Sequence, residues 1–383
     1  MFSTEQILKI RKAHTPFYLY DLDLLRKTID TASGEAKKAG YAIYYSLKAN
    51  NNQPILKATL DKGFGADCVS GNEIKRALKA GFKNDKIVFA GVGKTDEEII
   101  TALKYDIDCF NCESVEEIEL ISRFAGQLQK SAGISVRINP GISANTHRYL
   151  NTGNAFNKFG IPEISFSLVL SKIRQLPNIE IKGVHFHIGS QITDMDVFRS
   201  LCIKANDILH LLDLKGIRLK HVNMGGGLGI DYQNPDSNMI PDFKAYFAIF
   251  KKNLITYGNP EIRFELGRSL VGQCGNLVTR VLYVKNGGIK KFAVVDAGMT
   301  DLIRPALYNS KHLICNISSI GPSQTYDVVG PVCESSDFLG KDINIPETKR
   351  GDYLVIRSAG AYGQVMASNY NLRDKAKAFY IEN

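Results

Sequence analysis

Lys48 closes the run Ala42-Ile43-Tyr44-Tyr45-Ser46-Leu47, whose apolar, aromatic and β-branched residues read as a buried strand. Asn50, Asn51, Asn52 and Pro54 follow as turn chemistry, and residues 55–60 read as the opening of a helix. An ammonium at the end of a buried strand is partly desolvated. Burial lowers its pKa and frees a neutral amine that can attack a carbonyl. A lysine snorkelling from a strand end is the commoner occurrence, so Lys48 gains weight only from its companions. These are Asp67 in Ala66-Asp67-Cys68-Val69-Ser70, Arg137 ahead of Asn139-Pro140-Gly141, and His185 and His187 in Gly183-Val184-His185-Phe186-His187-Ile188-Gly189-Ser190. The run Gly225-Gly226-Gly227-Leu228-Gly229 and the segment Glu265-Leu266-Gly267-Arg268 complete the set.

The chemistry that such a set can do is specific. The glycine run lets backbone amides approach an anion closely, and Arg268 supplies a charged partner. A tight turn would explain three glycines equally well, but their place after one strand and before an arginine-bearing segment favours phosphate. Pyridoxal phosphate needs a lysine for its aldehyde, an anion site, a group over the ring face and a group tuning the ring nitrogen. Lys48, the glycine run with Arg268, His187 and Glu265 match those needs in turn. Glu265, as a carboxylate, would keep the ring nitrogen protonated and the ring an effective electron sink. A hydrogen-bonded core histidine is the ordinary reading of His187 taken alone. His185 shares its face along the strand and takes a supporting role.

The elements that must position these residues follow from periodicity. Strands are expected over 42–48, 64–69, 86–91, 108–112, 134–139, 181–188, 219–224 and 261–266, with helical stretches such as 71–80, 95–104, 114–128, 165–175, 194–213 and 242–257 between them. Eight strands at βαβ spacing predict an α/β fold with a (β/α)₈ barrel, whose chemistry sits at the carboxyl ends of the strands. Beyond Ser269 short strands are expected over 276–285, 290–296, 323–329, 353–357 and 378–381, a β-sandwich or small Greek-key barrel. An amphipathic start precedes Thr15-Pro16, and 17–20 reads as a strand capped by Asp21. If that strand joins the later ones, both chain ends share a domain: barrel 30–270, β domain 1–29 plus 271–383.

Composition excludes several classes. With 383 residues, 44% hydrophobic and 23% charged, the chain has the texture of a soluble protein. It shows no membrane-length apolar run, and Met1-Phe2-Ser3-Thr4-Glu5 does not resemble a signal peptide, so the cytoplasm is expected. The formal charge of +9 is spread as single and paired bases among acids, which argues against nucleic acid. Seven cysteines, widely spaced, speak against a disulfide framework. Cys109 and Cys112 form a C-x-x-C without a second pair or histidine, so core or strand-end cysteine is expected and no metal. Gly91-Val92-Gly93-Lys94-Thr95 ends like a P-loop but has Val88 where the first glycine belongs; Thr95 and Glu98 read as a capping box.

Tyr45-Ser46-Leu47-Lys48-Ala49-Asn50, His185-Phe186-His187-Ile188-Gly189-Ser190-Gln191, the glycine run and Glu265-Leu266-Gly267-Arg268 together resemble the alanine-racemase-fold, pyridoxal-phosphate-dependent decarboxylases of basic amino acids. The likeness runs from about Thr15 to Asn371 and is strongest to members acting on diaminopimelate. It implies a cofactor site of Lys48, Asp67, Arg137, His187, Ser190, Gly225, Gly226, Gly227, Glu265, Gly267, Arg268 and Tyr370. It also implies a head-to-tail homodimer with shared sites. The segment 299–308 resembles the family's substrate segment, which implies Arg304 and Tyr308 on a substrate carboxylate, beside Arg268. A guanidinium fork suits that task, although a surface ion pair is the ordinary role of such an arginine. Gly330-Pro331-Val332-Cys333-Glu334-Ser335-Ser336-Asp337 resembles the catalytic loop that reaches a partner's site, implying Cys333 as proton donor and Glu334 on the substrate's distal ammonium. Ala367-Ser368-Asn369-Tyr370-Asn371 resembles the closing motif, with Tyr370 near phosphate and substrate.

Three positions depart from the family pattern: Leu266 replaces the usual proline, Asn157 a commoner serine, and Ser336 the usual glycine. None removes a reactive group. The resemblance implies decarboxylation of meso-2,6-diaminopimelate to L-lysine, the last step of lysine biosynthesis. Carboxynorspermidine, D-ornithine, D-lysine, L-ornithine and arginine are competing substrates, and Arg304 speaks for a distal carboxylate and against all but the first. Racemisation lacks a matching tyrosine base. A non-catalytic cofactor-binding homologue is opposed by the presence of Lys48, Glu265 and Cys333.

Overall fold

The computed structural model describes Gln6 and residues 14–142 and 157–382. The amphipathic start and the Met1–Glu5 segment lie outside the described residues. In chain order the elements are β1 (Phe17–Asp21), α1 (Leu22–Ala39), β2 (Tyr41–Ser46), α2 (Gln53–Leu60), β3 (Gly65–Cys68), α3 (Gly71–Ala80), β4 (Ile87–Phe89), α4 (Asp96–Lys104) and β5 (Cys109–Cys112). Then come α5 (Val115–Gln127), β6 (Ala132–Asn139), β7 (Ile161–Pro162), α6 (Phe166–Ile173), β8 (Ile179–Phe186), α7 (Met195–Leu214), β9 (His221–Asn223), α8 (Phe243–Asn253) and β10 (Glu261–Leu266). The remainder is α9 (Arg268–Val271), β11 (Gly275–Asn286), β12 (Lys291–Val295), α10 (Arg304–Tyr308), β13 (Ile314–Asn316), β14 (Ser323–Val329), β15 (Phe338–Pro346), β16 (Tyr353–Ile356) and β17 (Lys377–Ile381).

Two compact units emerge: Ile29–Gly229 with Asp242–Gly267, and Met1–Thr28 with Ile230–Pro241 and Arg268–Asn383. The first is the barrel. Its parallel strands run β5-β4-β3-β2-β10-β9-β8-β6, and the β5–β6 pairing closes the cylinder. All eight expected strands are present, most of them shortened at one or both ends. Strand β2 stops at Ser46, so Lys48 lies in the single 3₁₀ turn Leu47–Ala49 rather than in the strand. Helix starts are set by caps: Ser70 accepts from the Glu73 amide at α3, and Thr95 and Glu98 form the expected capping box at α4. Phe264 of β10 packs against Tyr246, Phe247 and Phe250 of α8, with ring centroids 4.7–5.6 Å apart, tying that strand to its helix. The C-x-x-C is β5, with both thiols buried and free.

The second unit is a mixed sheet in the order β13-β16-β11-β12-β14-β15. Strand β1 joins it between the antiparallel β11 and the parallel β17, so the first and last strands of the chain are neighbours. Asp21 accepts from the Leu24 amide at 2.8 Å as the cap of α1. Phe17, Leu19, Val278 and Val355 form its buried core. Two strands, β13 and β15, were not expected. The sequence Phe338-Leu339-Gly340-Lys341-Asp342-Ile343-Asn344-Ile345-Pro346 carries turn residues throughout, and Asp342 has φ +54°. Strand β15 accommodates them by register shifts against β14 at Tyr326/Val328 and Val328/Val329. Among the described residues no helix is long and apolar enough to cross a membrane.

Candidate active site

Three clusters of polar groups hold most of the residues singled out above, one in the barrel and two in the other unit. In the barrel, the turn after β2 is fixed by the Tyr45 hydroxyl donating to the Asn50 carbonyl at 2.7 Å. It delivers Lys48 Nζ to 3.0 Å from Asp67 Oδ2, which also accepts from Ser46 Oγ at 2.8 Å. The amine, on a side chain 31% exposed, is thus paired with a buried carboxylate just beyond the strand end. Asp67 is fully buried, and burial together with the charge of Glu265 raises its proton affinity.

Glu265, the fifth residue of β10, is buried too, yet its carboxyl lies well below the usual carboxylate range. Burial opposes the charge, but His185 and Lys48 outweigh it. Asn111 Nδ2 and Asn223 Nδ2 donate to Oε1 at 2.9 and 2.7 Å, and His185 Nε2 meets Oε2 at 3.0 Å. His187, on the same strand run as His185, accepts from the Gly226 amide at Nδ1, 3.3 Å away. Burial, with the positive charges of Arg137 and Lys48, pushes its imidazole well below the ordinary histidine value, so it is neutral. Arg137 of β6 pairs with Glu113 at 2.6 Å and lies over the Phe159 ring at 4.8 Å, while the second Glu113 oxygen accepts from the Gly160 amide. Ser190 lies in the loop after β8.

The glycine run has a packing reason of its own. Gly225 has φ +69° and an added Cβ would overlap the Phe186 carbonyl oxygen; at Gly226 it would overlap the Glu265 carbonyl oxygen. The amide of Gly225 donates to Asn223 Oδ1 at 2.9 Å. Thus the turn is locked to β8 and β10 by backbone contact, and two of its amides meet side chains.

In the other unit, Arg304 of α10 is 1% exposed with Nε lacking a hydrogen-bond partner, and its guanidinium lies 5.6 Å from the Tyr232 ring and 5.5 Å from that of Tyr308. Arg268, also buried, donates to the Tyr232 hydroxyl at 2.6 Å and lies 4.8 Å from the Tyr362 ring. Burial raises the Tyr232 phenol, and the two guanidiniums more than reverse that. His312 meets the Tyr232 ring edge-on at 4.8 Å. Elsewhere in this unit Cys333 and Glu334 are exposed. The Cys333 amide donates to Asn371 Oδ1 at 3.1 Å and the Tyr370 hydroxyl to Glu334 at 2.8 Å, linking two consecutive residues to two others. The loop is anchored by buried Asp337, which accepts from the Met299 and Val332 amides, both at 2.6 Å.

The structure thus gathers Lys48, Asp67, His187, Glu265 and the glycine turn, and separately Arg268, Arg304 and Tyr308, and Cys333, Glu334 and Tyr370. Sequence reasoning missed Asn111, Asn223, Tyr232, Asp337 and Asn371. Asn223 carried a signal, since an asparagine two residues before a glycine turn commonly accepts from it. The others looked like strand or loop polar residues. A site for pyridoxal phosphate fits the barrel cluster: an amine, a carboxylate held charged, and buried polar atoms without partners (Asp67 Oδ1, Asn111 Oδ1, His185 Nδ1) grouped around them.

Comparison with known proteins is consistent with this chemistry. The family described as pyridoxal-dependent decarboxylase, pyridoxal binding domain, matches residues 24–272. Diaminopimelate decarboxylase of Bacteroides thetaiotaomicron is 50% identical over 372 residues, covering 97% of this chain and 96% of that one. The Helicobacter pylori enzyme of that name is 43% identical over 100% of this chain and 94% of its own length. A crystal structure of the H. pylori enzyme complexed with L-lysine matches with a TM-score of 0.92 at 41% identity, covering 99% of this chain and 94% of that one.

Proposed function

The chain belongs to the pyridoxal-dependent decarboxylases, and within them to the diaminopimelate decarboxylases, and from that premise we infer that it converts meso-2,6-diaminopimelate to L-lysine and carbon dioxide. Pyridoxal 5'-phosphate, when bound, supplies an aldehyde for amines and a ring that accepts the electrons of a breaking bond to carboxylate. Lys48 would be the amine that holds the cofactor, and Asp67, 3.0 Å away with raised proton affinity, would take and return the Lys48 proton. Glu265, held ionised, would accept the ring N–H and favour the protonated ring. Neutral His187 would cover the ring face. The glycine turn, with Gly267, Ser190, Arg268 and Tyr370, serves the phosphate; Arg137, tied to Glu113, braces the mouth.

Arg304 and Tyr308 take the carboxylate at the far end of the substrate, Arg268 and Tyr370 assist them, and Glu334 takes the ammonium there. Cys333 delivers a proton to the α-carbon. We place Cys333 and Glu334 in the site of a second copy, making the protein a cytoplasmic homodimer whose β domain (residues 1–29 and 271–383) serves interface and substrate. Their exposure supports that role, because a proton donor must reach its substrate. The observation that carries the reading is the charge cluster of Lys48 with the buried carboxylates of Asp67 and Glu265, brought together from the turn after β2 and from β3 and β10. The test is carbon dioxide release from meso-diaminopimelate, L-ornithine, L-arginine, D-lysine and carboxynorspermidine. Diaminopimelate should lead by about a hundredfold or more, since a buried guanidinium left without its carboxylate is costly; a faster competitor, or no release at all, overturns the assignment.

A further inference from the structure

Three hydrogen bonds reach the Glu265 carboxylate, each from a different strand of the barrel: Asn111 of β5, Asn223 of β9 and His185 of β8. A carboxylate offers about four acceptor directions, two on each oxygen. The two amides fill both directions of Oε1, and His185 takes one of Oε2. Neither amide can be turned over, because its oxygen would then face an acceptor. At Asn111 the consequence is visible: Oδ1 is buried without a partner, so the orientation is dictated by the donor end. The charged and titratable groups facing Glu265 are His185, His187, Lys48 and Asp67. Lys48 is paired with Asp67, and His187 is neutral. The fixed dipoles of the two amides are the contributions that no proton transfer in the site alters.

We propose that Asn111 and Asn223 are positioning residues for the cofactor: they saturate Oε1, fix the plane of the Glu265 carboxylate, and leave a single acceptor direction, on Oε2, for the ring N–H. The inference rests on the proposed place of Glu265 at the ring nitrogen. It is tested with the full-length chain, freed of cofactor and offered either pyridoxal phosphate or its 1-deaza analogue, in which carbon replaces the ring nitrogen. The readout is the ratio of the two affinities, independent of turnover. The unsubstituted chain favours the nitrogen compound. Asn111→Asp and Asn223→Asp keep the shape, remove a donor and add a like charge. Each should lose about tenfold to a hundredfold of that preference, with binding of the analogue little changed. Asn111→Ser and Asn223→Ser, which remove the donor without adding charge, should lose about threefold to tenfold and serve where an Asp variant does not fold. Equal preference in the unsubstituted chain and the variants overturns the proposal and leaves the amides as ordinary core polar groups. No preference in the unsubstituted chain overturns instead the placing of Glu265 at the ring.

Discussion

Glu265 and Asp67 in the barrel are 3% and 0% exposed and are held by side chains from several strands, whereas Cys333 and Glu334 lie exposed on a loop and Tyr370 is 48% exposed. The barrel's groups are finished within their own unit: Glu265 has partners from β5, β8 and β9, and Asp67 is held by Ser46 and Lys48 at the end of β2. Among the described residues, the loop's groups are held by Asn371 and Tyr370, with buried Asp337 fixing the base. The difference separates two tasks. A group that tunes a bound ring must be desolvated and rigid, because low local dielectric makes its charge effective. A group that delivers a proton after a bond has broken, the role proposed for Cys333, must reach the substrate, and exposure on an anchored loop provides that reach.

The sharpest way to break this contrast is to remove one group of each kind. Lys48→Ala should leave no measurable carbon dioxide release and no borohydride-trapped cofactor; activity surviving this change would sink the assignment. Cys333→Ala should lower kcat roughly 10²–10⁴-fold, as for loss of a general acid, while cofactor binding is unchanged. Mixing the two inactive variants sharpens the result. If each site combines Lys48 of one copy with Cys333 of the other, random re-pairing restores about a quarter of full activity, since half the dimers are mixed and each has one complete site. No recovery on mixing, with subunit exchange verified by labelled chains, would place both groups in the same copy.

How far these two regions could be read from sequence follows the same division. Lys48, Asp67, His187 and Glu265 were legible because barrel geometry puts chemistry at strand ends, and their spacing follows the strands. Their supporting donors were not: Asn111 sits inside Cys109-Phe110-Asn111-Cys112, where β-pattern says only that it points to one face. Cys333 was singled out through family resemblance alone, since a thiol in a turn has no periodicity to mark it. Strand β15 was hidden because Gly340, Asp342 and Pro346 read as turn residues, and only the bulged pairing with β14 makes them a strand.

Buried histidines extend the comparison to stability. Burial, reinforced by the charge of Arg263 in the barrel and of Arg304 in the β unit, pushes His221 and His312 down to about 3 each. The unfolded chain takes up these protons near pH 6.5 and the folded chain does not. Between pH 6 and 4 the unfolded state therefore binds more protons, and stability falls as pH falls, by up to about 1.4 kcal/mol per pH unit for each group. His312→Phe should flatten the pH dependence of urea unfolding in that window by about this amount, and His221→Phe likewise. An unchanged slope in both variants would show that other groups govern acid unfolding.

The smallest effect is expected at Ser336, where the family pattern has glycine. Were the loop to demand a left-handed residue here, serine would strain it and the exposed donor beside it would be misplaced. Ser336 is not among the positive-φ residues, unlike Asn371 and Leu372 at +54° and +56°, and its hydroxyl lies 3.8 Å from the Met299 sulfur. Serine thus occupies an ordinary backbone conformation, with the base of the loop set by Asp337. Ser336→Gly should cost about 0.4–1 kcal/mol through greater freedom of the unfolded chain, with kcat within about twofold. A rise in kcat well beyond that, with no loss of stability, would mean that serine constrains the loop during turnover, and that the proton donor is less free than its exposure implies.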